Sequence, residues 1–310
     1  MRTRVMTACV AVCLLVCWAV GDVQALPVSP FKSYTTMPDN SQHAADYTPA
    51  PAHGAHWGSM MCGPTSAKNS MVWLSGVAGY QKYGVDRLTK KKVGDAWVAM
   101  SHAEIIEELA KKMVPGWDWD NDNFPGVYDD QFVTGKKAYA EARGVKLDIK
   151  WMKNTTLGLS WGTETLGNPT WEWIRNEIDA DEDVEMSTSA HWVTVSGYMA
   201  EKFDDANGNG VWDTGETFYD ENELGLGLGT AGVYDYFLRY SDPDDGYTGA
   251  MWGLATTTGG VLTVGGVGVI ETAVSESPVP EPLTVAGLLM GLASVARYLG
   301  WRRRNVPRTQ

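Results

Sequence analysis

A single thiol serves most of this chain. Of its four cysteines, Cys9, Cys13 and Cys17 fall in the apolar stretch at residues 5–20, which leaves Cys62 for everything that follows. That stretch comes after Arg2 and Arg4 and closes on Val23-Gln24-Ala25. This is the charged, hydrophobic and small-residue plan of a secretory signal over residues 1–25, with cleavage expected after Ala25. A lipoprotein signal through Cys17 is disfavoured, because Val16 stands where a small residue is wanted. Exported domains normally pair their cysteines or do without them. A solitary Cys62 is therefore either a small buried hydrophobe or a reactive group.

Composition narrows the class. With 310 residues, 44% hydrophobic and 20% charged, the chain suits one or two globular domains and is too apolar for disorder. Its formal net charge is −13. Setting aside seven arginines and Asp22 at the two ends leaves 18 basic and 37 acidic groups, a charge of −19 for the middle. Nucleic-acid binding, which needs a basic footprint, is not expected.

The surroundings of Cys62 favour the reactive reading. It opens Cys62-Gly63-Pro64-Thr65-Ser66-Ala67-Lys68-Asn69-Ser70-Met71, in which Ala67, Met71 and Leu74 recur at helical spacing. Proline is tolerated only in a first turn, so the helix is expected to begin beside Cys62, where the positive end of the dipole favours a thiolate. A base is needed, and there are five histidines, His43, His53, His56, His102 and His191. His43, His53 and His102 read as surface residues. His191 opens His191-Trp192-Val193-Thr194-Val195-Ser196-Gly197-Tyr198, whose alternation reads as a half-buried strand. A second strand at 232–240 leads to Asp242, just before Pro243, where a carboxylate can orient an imidazole on a neighbouring strand. As a bare motif, Asp242-Pro243-Asp244-Asp245-Gly246 is equally a turn.

These three segments together resemble the papain-like cysteine peptidases, and within them the bacteriocin-processing (double-glycine) peptidase-like domains, over residues 55–272. The resemblance implies an α+β fold in which a helix bearing the cysteine packs on an antiparallel sheet bearing histidine and aspartate. It also implies Cys62 as nucleophile, His191 as general base and acid, Asp242 as orienting carboxylate, and a peptide or protein as substrate. The position six residues before the cysteine, usually a glutamine donating to the oxyanion, is His56 here. A dedicated donor is worth about 10²–10³ in rate, so a catalytically silent, calcium-binding surface or matrix protein of the same fold stays open as the alternative.

A separate signal lies between the histidine and the aspartate. Asp205, Asn207, Asn209, Gly210, Val211, Asp213 and Glu216 follow the spacing of a calcium loop over 205–216. Side-chain oxygens at Asp205, Asn207, Asn209, Asp213 and Glu216 and the carbonyl of Val211 would wrap one calcium ion, with a solvated Asx-rich loop as the plain alternative. The run at 118–123 begins similarly but lacks the turn glycine and reads as an acidic loop.

At the far end Pro280-Glu281-Pro282 precedes an apolar stretch, 283–301, and Arg302-Arg303-Arg304. As a helix the stretch spans about 28 Å, enough to cross a hydrocarbon layer. The order resembles the PEP-CTERM sorting signal of bacterial exported proteins. It implies export to the cell envelope, surface or matrix, an exosortase-type enzyme as partner, and a membrane helix with an Arg-rich tail at 283–310; an ordinary single-span anchor is the alternative. The intervening organisation reads as an extended arm at 26–54, a domain at 55–274 with the calcium loop inserted, and a linker at 275–282. Helices are expected at 103–113, 130–143 and 170–178, and strands at 145–151 and 184–188.

Overall fold

The computed structural model describes residues 31–48, 50–57, 60–119, 123–157, 167–203, 218–219, 233–244 and 250–279. The expected signal, calcium loop, Pro-Glu-Pro motif and C-terminal helix lie outside those residues, as do 120–122 of the acidic run. Among the described residues no helix is long and apolar enough to cross a membrane.

The fold is α+β, a large antiparallel sheet with few helices. In chain order the strands are β1 (Phe31–Ser33), β2 (Lys90–Val93), β3 (Ala96–Ala99), β4 (Leu147–Lys153), β5 (Asp183–Ser187), β6 (Trp192–Phe203), β7 (Phe218–Tyr219), β8 (Val233–Ser241), β9 (Met251–Thr258), β10 (Val261–Val264), β11 (Gly268–Val269) and β12 (Thr272–Pro278). The α-helices are α1 (Cys62–Gly76), α2 (His102–Met113), α3 (Asp129–Glu141) and α4 (Trp171–Asp179). The main sheet runs β11-β10-β9-β8-β6-β5-β12-β4, and β1 and β7 also pair with β6; β2 and β3 form a separate hairpin.

Local chemistry fixes the helix ends. Ser101 and Glu104 form a reciprocal capping box at the start of α2, and the Thr170 hydroxyl accepts the Trp173 N–H at 3.1 Å to start α4. Gly144, at φ +70, turns the chain just after α3.

Register shows which helix covers which face, because residues directly opposite one another project to the same side. Thr194 pairs with Glu185 across β6 and β5, and both meet α1: Ser66 Oγ lies 2.9 Å from Thr194 Oγ1, and Ser70 donates to Glu185. On that same side Phe132 of α3 stacks on Trp192 with centroids 3.7 Å apart. The other face is covered by α4, where Tyr198 donates to Asp179 at 2.6 Å and Ser275 of β12 donates to Glu177 at 2.9 Å. So α1 is buried nearly all round, not along one stripe: Ser66, Lys68, Asn69 and Ser70 on its non-apolar sides each meet a polar partner.

Two expectations are corrected. Residues 275–278 are not linker: they complete β12, all four pairing with β4 and the first two also with β5. The strand carries Ser275 and Glu276, both fully buried and bonded, so its polar look hid it. Nor is 26–54 a free arm where it is described. Residues Phe31–Ser33 extend the sheet along β6, and Asn40, Ser41 and Gln42 are buried. Gly197 makes room for that strand, since a Cβ there would lie 2.6 Å from the Lys32 carbonyl.

Candidate active site

Cys62 stands at the first turn of α1, in contact with the core and 5% exposed. Its position is fixed from behind by Met61, fully buried with Trp57, Ile106 and Phe124 in a second apolar cluster under α2. Glu107 pins the approach by accepting from the His53 N–H at 2.7 Å and the Trp57 indole at 3.4 Å. At the first turn of α1 the N–H groups of Cys62 and Gly63 have no acceptor within the helix.

His191 immediately precedes β6. The preceding turn is closed by Thr188 N–H donating to the His191 carbonyl at 2.8 Å, which turns the ring out at the sheet's end while Trp192 locks into the core. Asp242 follows β8, the neighbour of β6 in which Ser241 lies opposite Thr194, so both groups emerge at one end of adjacent strands. His191 Nε2 and Asp242 Oδ1 are 2.6 Å apart, and the same oxygen accepts the Asp244 N–H at 2.9 Å. Cys62 shares the cavity wall with the ring and acts on its charge. With Nε2 given to Asp242, Nδ1 is the nitrogen left for sulfur.

The charges respond to this geometry. Burial alone would lower the His191 pKa, but the hydrogen bonds to Asp242 and Cys62 and the negative charge of both raise it to about 10. Burial opposes ionisation of Asp242 too; the bond from His191, the Asp244 N–H and the ring's charge nonetheless hold its pKa below the usual carboxylate value. A cavity of about 300 Å³ opens on this group, with Cys62 and His191 in its wall beside Val127, Tyr128 and Trp192. The structure therefore brings Cys62, His191 and Asp242 to one place. His56 closes a short 3-10 turn, Gly54–His56, but its side chain is outside the described residues, as are Asp205, Asn207, Asn209, Val211, Asp213 and Glu216.

Sequence reasoning missed the rest of the cavity wall. Asp129, Asp130, Lys153 and Glu271 also face it. The one available signal was Pro125-Gly126 ahead of an acidic helix start, which marks a loop leading to a helix N-terminus but not what it faces.

A second polar cluster lies under α1, away from the cavity. Asp183, Glu185 and Glu276 bring one carboxylate oxygen each within 4.8 Å of the others, a buried group that could hold a metal ion. Lys136 of α3 already lies among them, ion-paired with Glu185 and Glu276 and 4.0 Å from Asp183. Burial and the crowding of like charges raise Glu276, and burial raises Glu185 to about 7, against the pull of the ammonium. Nearby, buried Lys68 lies 3.1 Å from His102 Nδ1, which is also 2.8 Å from Asn40 Oδ1. Burial and the Lys68 charge lower His102 to about 4.

No family model, curated protein or solved structure matches the chain.

Proposed function

We propose that this chain is an exported cysteine peptidase, or a related amide hydrolase, of papain-like fold. The observation that carries the reading is one cavity that holds Cys62 and His191 in its wall, with Asp242 bonded at 2.6 Å to His191 Nε2. The Cys62 thiolate attacks the substrate carbonyl carbon, and the positive ring beside it supplies the compensating charge. The developing oxyanion is met by N–H donors at the start of α1, the Cys62 N–H among them. The tetrahedral adduct collapses as His191 hands its Nδ1 proton to the leaving amine, breaking the C–N bond and leaving an acyl thioester. Water, deprotonated by the now neutral ring, then attacks the thioester carbonyl; the C–S bond breaks, the acid product leaves, and the Cys62 thiolate is restored beside the protonated ring. Asp242 keeps the ring in the one orientation and tautomer in which Nδ1 serves both steps.

A helix that presents the cysteine at its N-terminus, packed on an antiparallel sheet that presents histidine and aspartate from neighbouring strands, supports the papain-like reading. Export with a PEP-CTERM type of C-terminus, handled by an exosortase-type enzyme in a bacterial envelope, and a calcium ion at 205–216 belong to the same proposal and rest on the sequence. A melting comparison with and without calcium tests the loop: the ion raises Tm in the natural chain and not in Glu216→Ala.

The test of the chemistry is labelling with an electrophilic thiol probe. Cys62 should react well above the rate of a free cysteine at neutral pH, and His191→Ala should remove the excess. A thiol that reacts no faster than free cysteine, whatever stands at position 191, leaves the silent calcium-binding surface protein.

A further inference from the structure

The cavity beside Cys62 carries more negative charge than the triad uses. Besides Cys62 and His191, its charged lining is Asp129, Asp130, Glu271 and Lys153, three carboxylates against one ammonium. Asp129 is spent on structure. Its Oδ1 accepts from Ser187 Oγ at 3.2 Å, its Oδ2 from Thr272 Oγ1 at 2.6 Å, and Lys153 Nζ lies 3.2 Å from Oδ2. Lys153, 1% exposed, is held to Asp129 and is the cavity's one ammonium.

Asp130 and Glu271 are different. Their carboxylates have no hydrogen-bond or ion-pair partner among the described residues, and both line the cavity, Asp130 exposed and Glu271 half-buried. Burial raises the Glu271 carboxyl, the Asp129 charge adds to that, and the Lys153 ammonium opposes both. Even with Lys153 acting on both Asp129 and Glu271, the wall keeps an excess of carboxylates, and carboxylates in a concave, partly buried site attract a cation more strongly than exposed ones on a flat surface. Met60, Pro125 and Val127 complete the wall with apolar surface suited to the methylene stem of a long basic side chain.

We propose that Glu271 and Asp130 form a specificity subsite for a lysine or arginine side chain of the peptide substrate, adjacent to the bond cleaved. This rests on the reading of Cys62 as nucleophile, and it gives the acidic cavity a task that neither Asp129 nor the triad performs.

The test uses the full chain and two methanethiosulfonate reagents of similar size, one bearing a trimethylammonium and one a sulfonate. The cationic reagent should modify Cys62 about tenfold faster than the anionic one. That ratio should fall about threefold to tenfold in Glu271→Gln and in Asp130→Asn, and stay put in Asp148→Asn, an exposed carboxylate outside the cavity. Short peptide amides should protect Cys62 from labelling when they carry arginine and much less when they carry citrulline, its uncharged isostere. A ratio that neither variant moves, or equal protection by arginine and citrulline, overturns the subsite while leaving His191-dependent reactivity, and hence the hydrolase reading, intact. A thiol whose reactivity does not depend on His191 overturns both.

Discussion

The ring of His191 is the residue on which most of the electrostatics turns. Its pKa of about 10 is the outcome of a contest: burial pushes it down, and Asp242 and Cys62 push it further up. Replacing Asp242 with asparagine keeps the shape and removes the charge, so the Asp242→Asn ring should titrate well below about 10, toward the ordinary histidine range, in ring-nitrogen NMR. Labelling of Cys62 should slow about 10²–10⁴-fold, because an asparagine carbonyl orients the ring without stabilising its charged form. An unchanged ring titration would falsify the idea that Asp242 governs it. The pair also acts on stability, with opposite signs for its two members. The raised histidine contributes fully below its ordinary pKa and loses that contribution as pH climbs toward about 10. The lowered Asp242 contributes above the usual carboxylate range and loses it as pH falls. Cys62, His191 and Asp242 could be singled out in the sequence because each sits beside a local signal: Pro64 after the cysteine, a clear alternating strand after the histidine, Pro243 after the aspartate.

At the scale of elements, β12 and α3 lean on one buried ammonium. Lys136 offsets three carboxylates, two on β5 and one on β12, all with no side-chain exposure. Removing one partner from such a group strands the others, at a cost of about 3–5 kcal/mol. Lys136→Met should therefore lower stability by about that amount at pH 8 in a denaturant titration. The cost should shrink toward pH 5, because the carboxylates can then take up protons and remain buried as neutral acids. The sign follows from their raised pKa values: in the natural chain the contribution of Glu185 is fully present below its ordinary value and is lost as pH rises through about 7. A loss equal at both pH values would mean that the carboxylates do not share charge with Lys136. This cluster is also why the sequence misled at 275–279. Ser275 and Glu276 carry the signature of a solvated linker, and only knowing that Glu177 and Lys136 wait on opposite faces turns them into strand residues. α1 shows the same difficulty in a milder form, since Ser66, Lys68, Asn69 and Ser70 look like a wet face and are fully buried. Period and propensity find an element when its buried side is apolar; they fail where burial is satisfied by partners about a hundred residues away.

On the scale of the whole molecule, the N-terminal segment closes the fold around the site. Lys32 pairs with Asp181 at 2.6 Å and Tyr34 donates to the Ile178 carbonyl at 2.6 Å, fastening the segment to the end of α4. Asn40 then donates to Asn69 of α1 at 3.0 Å. Two residues later the Gln42 N–H donates to the Pro243 carbonyl at 2.8 Å and its side-chain amide to Asp244 at 2.7 Å. About 200 positions separate these last partners, and they grip the turn that holds Asp242 from the side opposite in sequence. Deleting residues 26–46 should therefore do two things that ordinary arm removal would not. It strips β1 from the edge of β6 and uncovers the buried Lys68 and Asn69, so the melting temperature should drop by more than about 10 °C, given that several buried hydrogen bonds worth about 1 kcal/mol each are lost together. The milder Gln42→Ala should keep the fold and the backbone bond to Pro243, with a loss of about 1–2 kcal/mol, yet slow His191-dependent labelling of Cys62, because the side-chain half of the clasp on the Asp242 turn, the bond to Asp244, is gone. A Gln42→Ala chain that melts lower but labels at the full rate would show that the segment serves stability alone; one that melts normally and labels slowly would put its main role in holding the carboxylate against the ring.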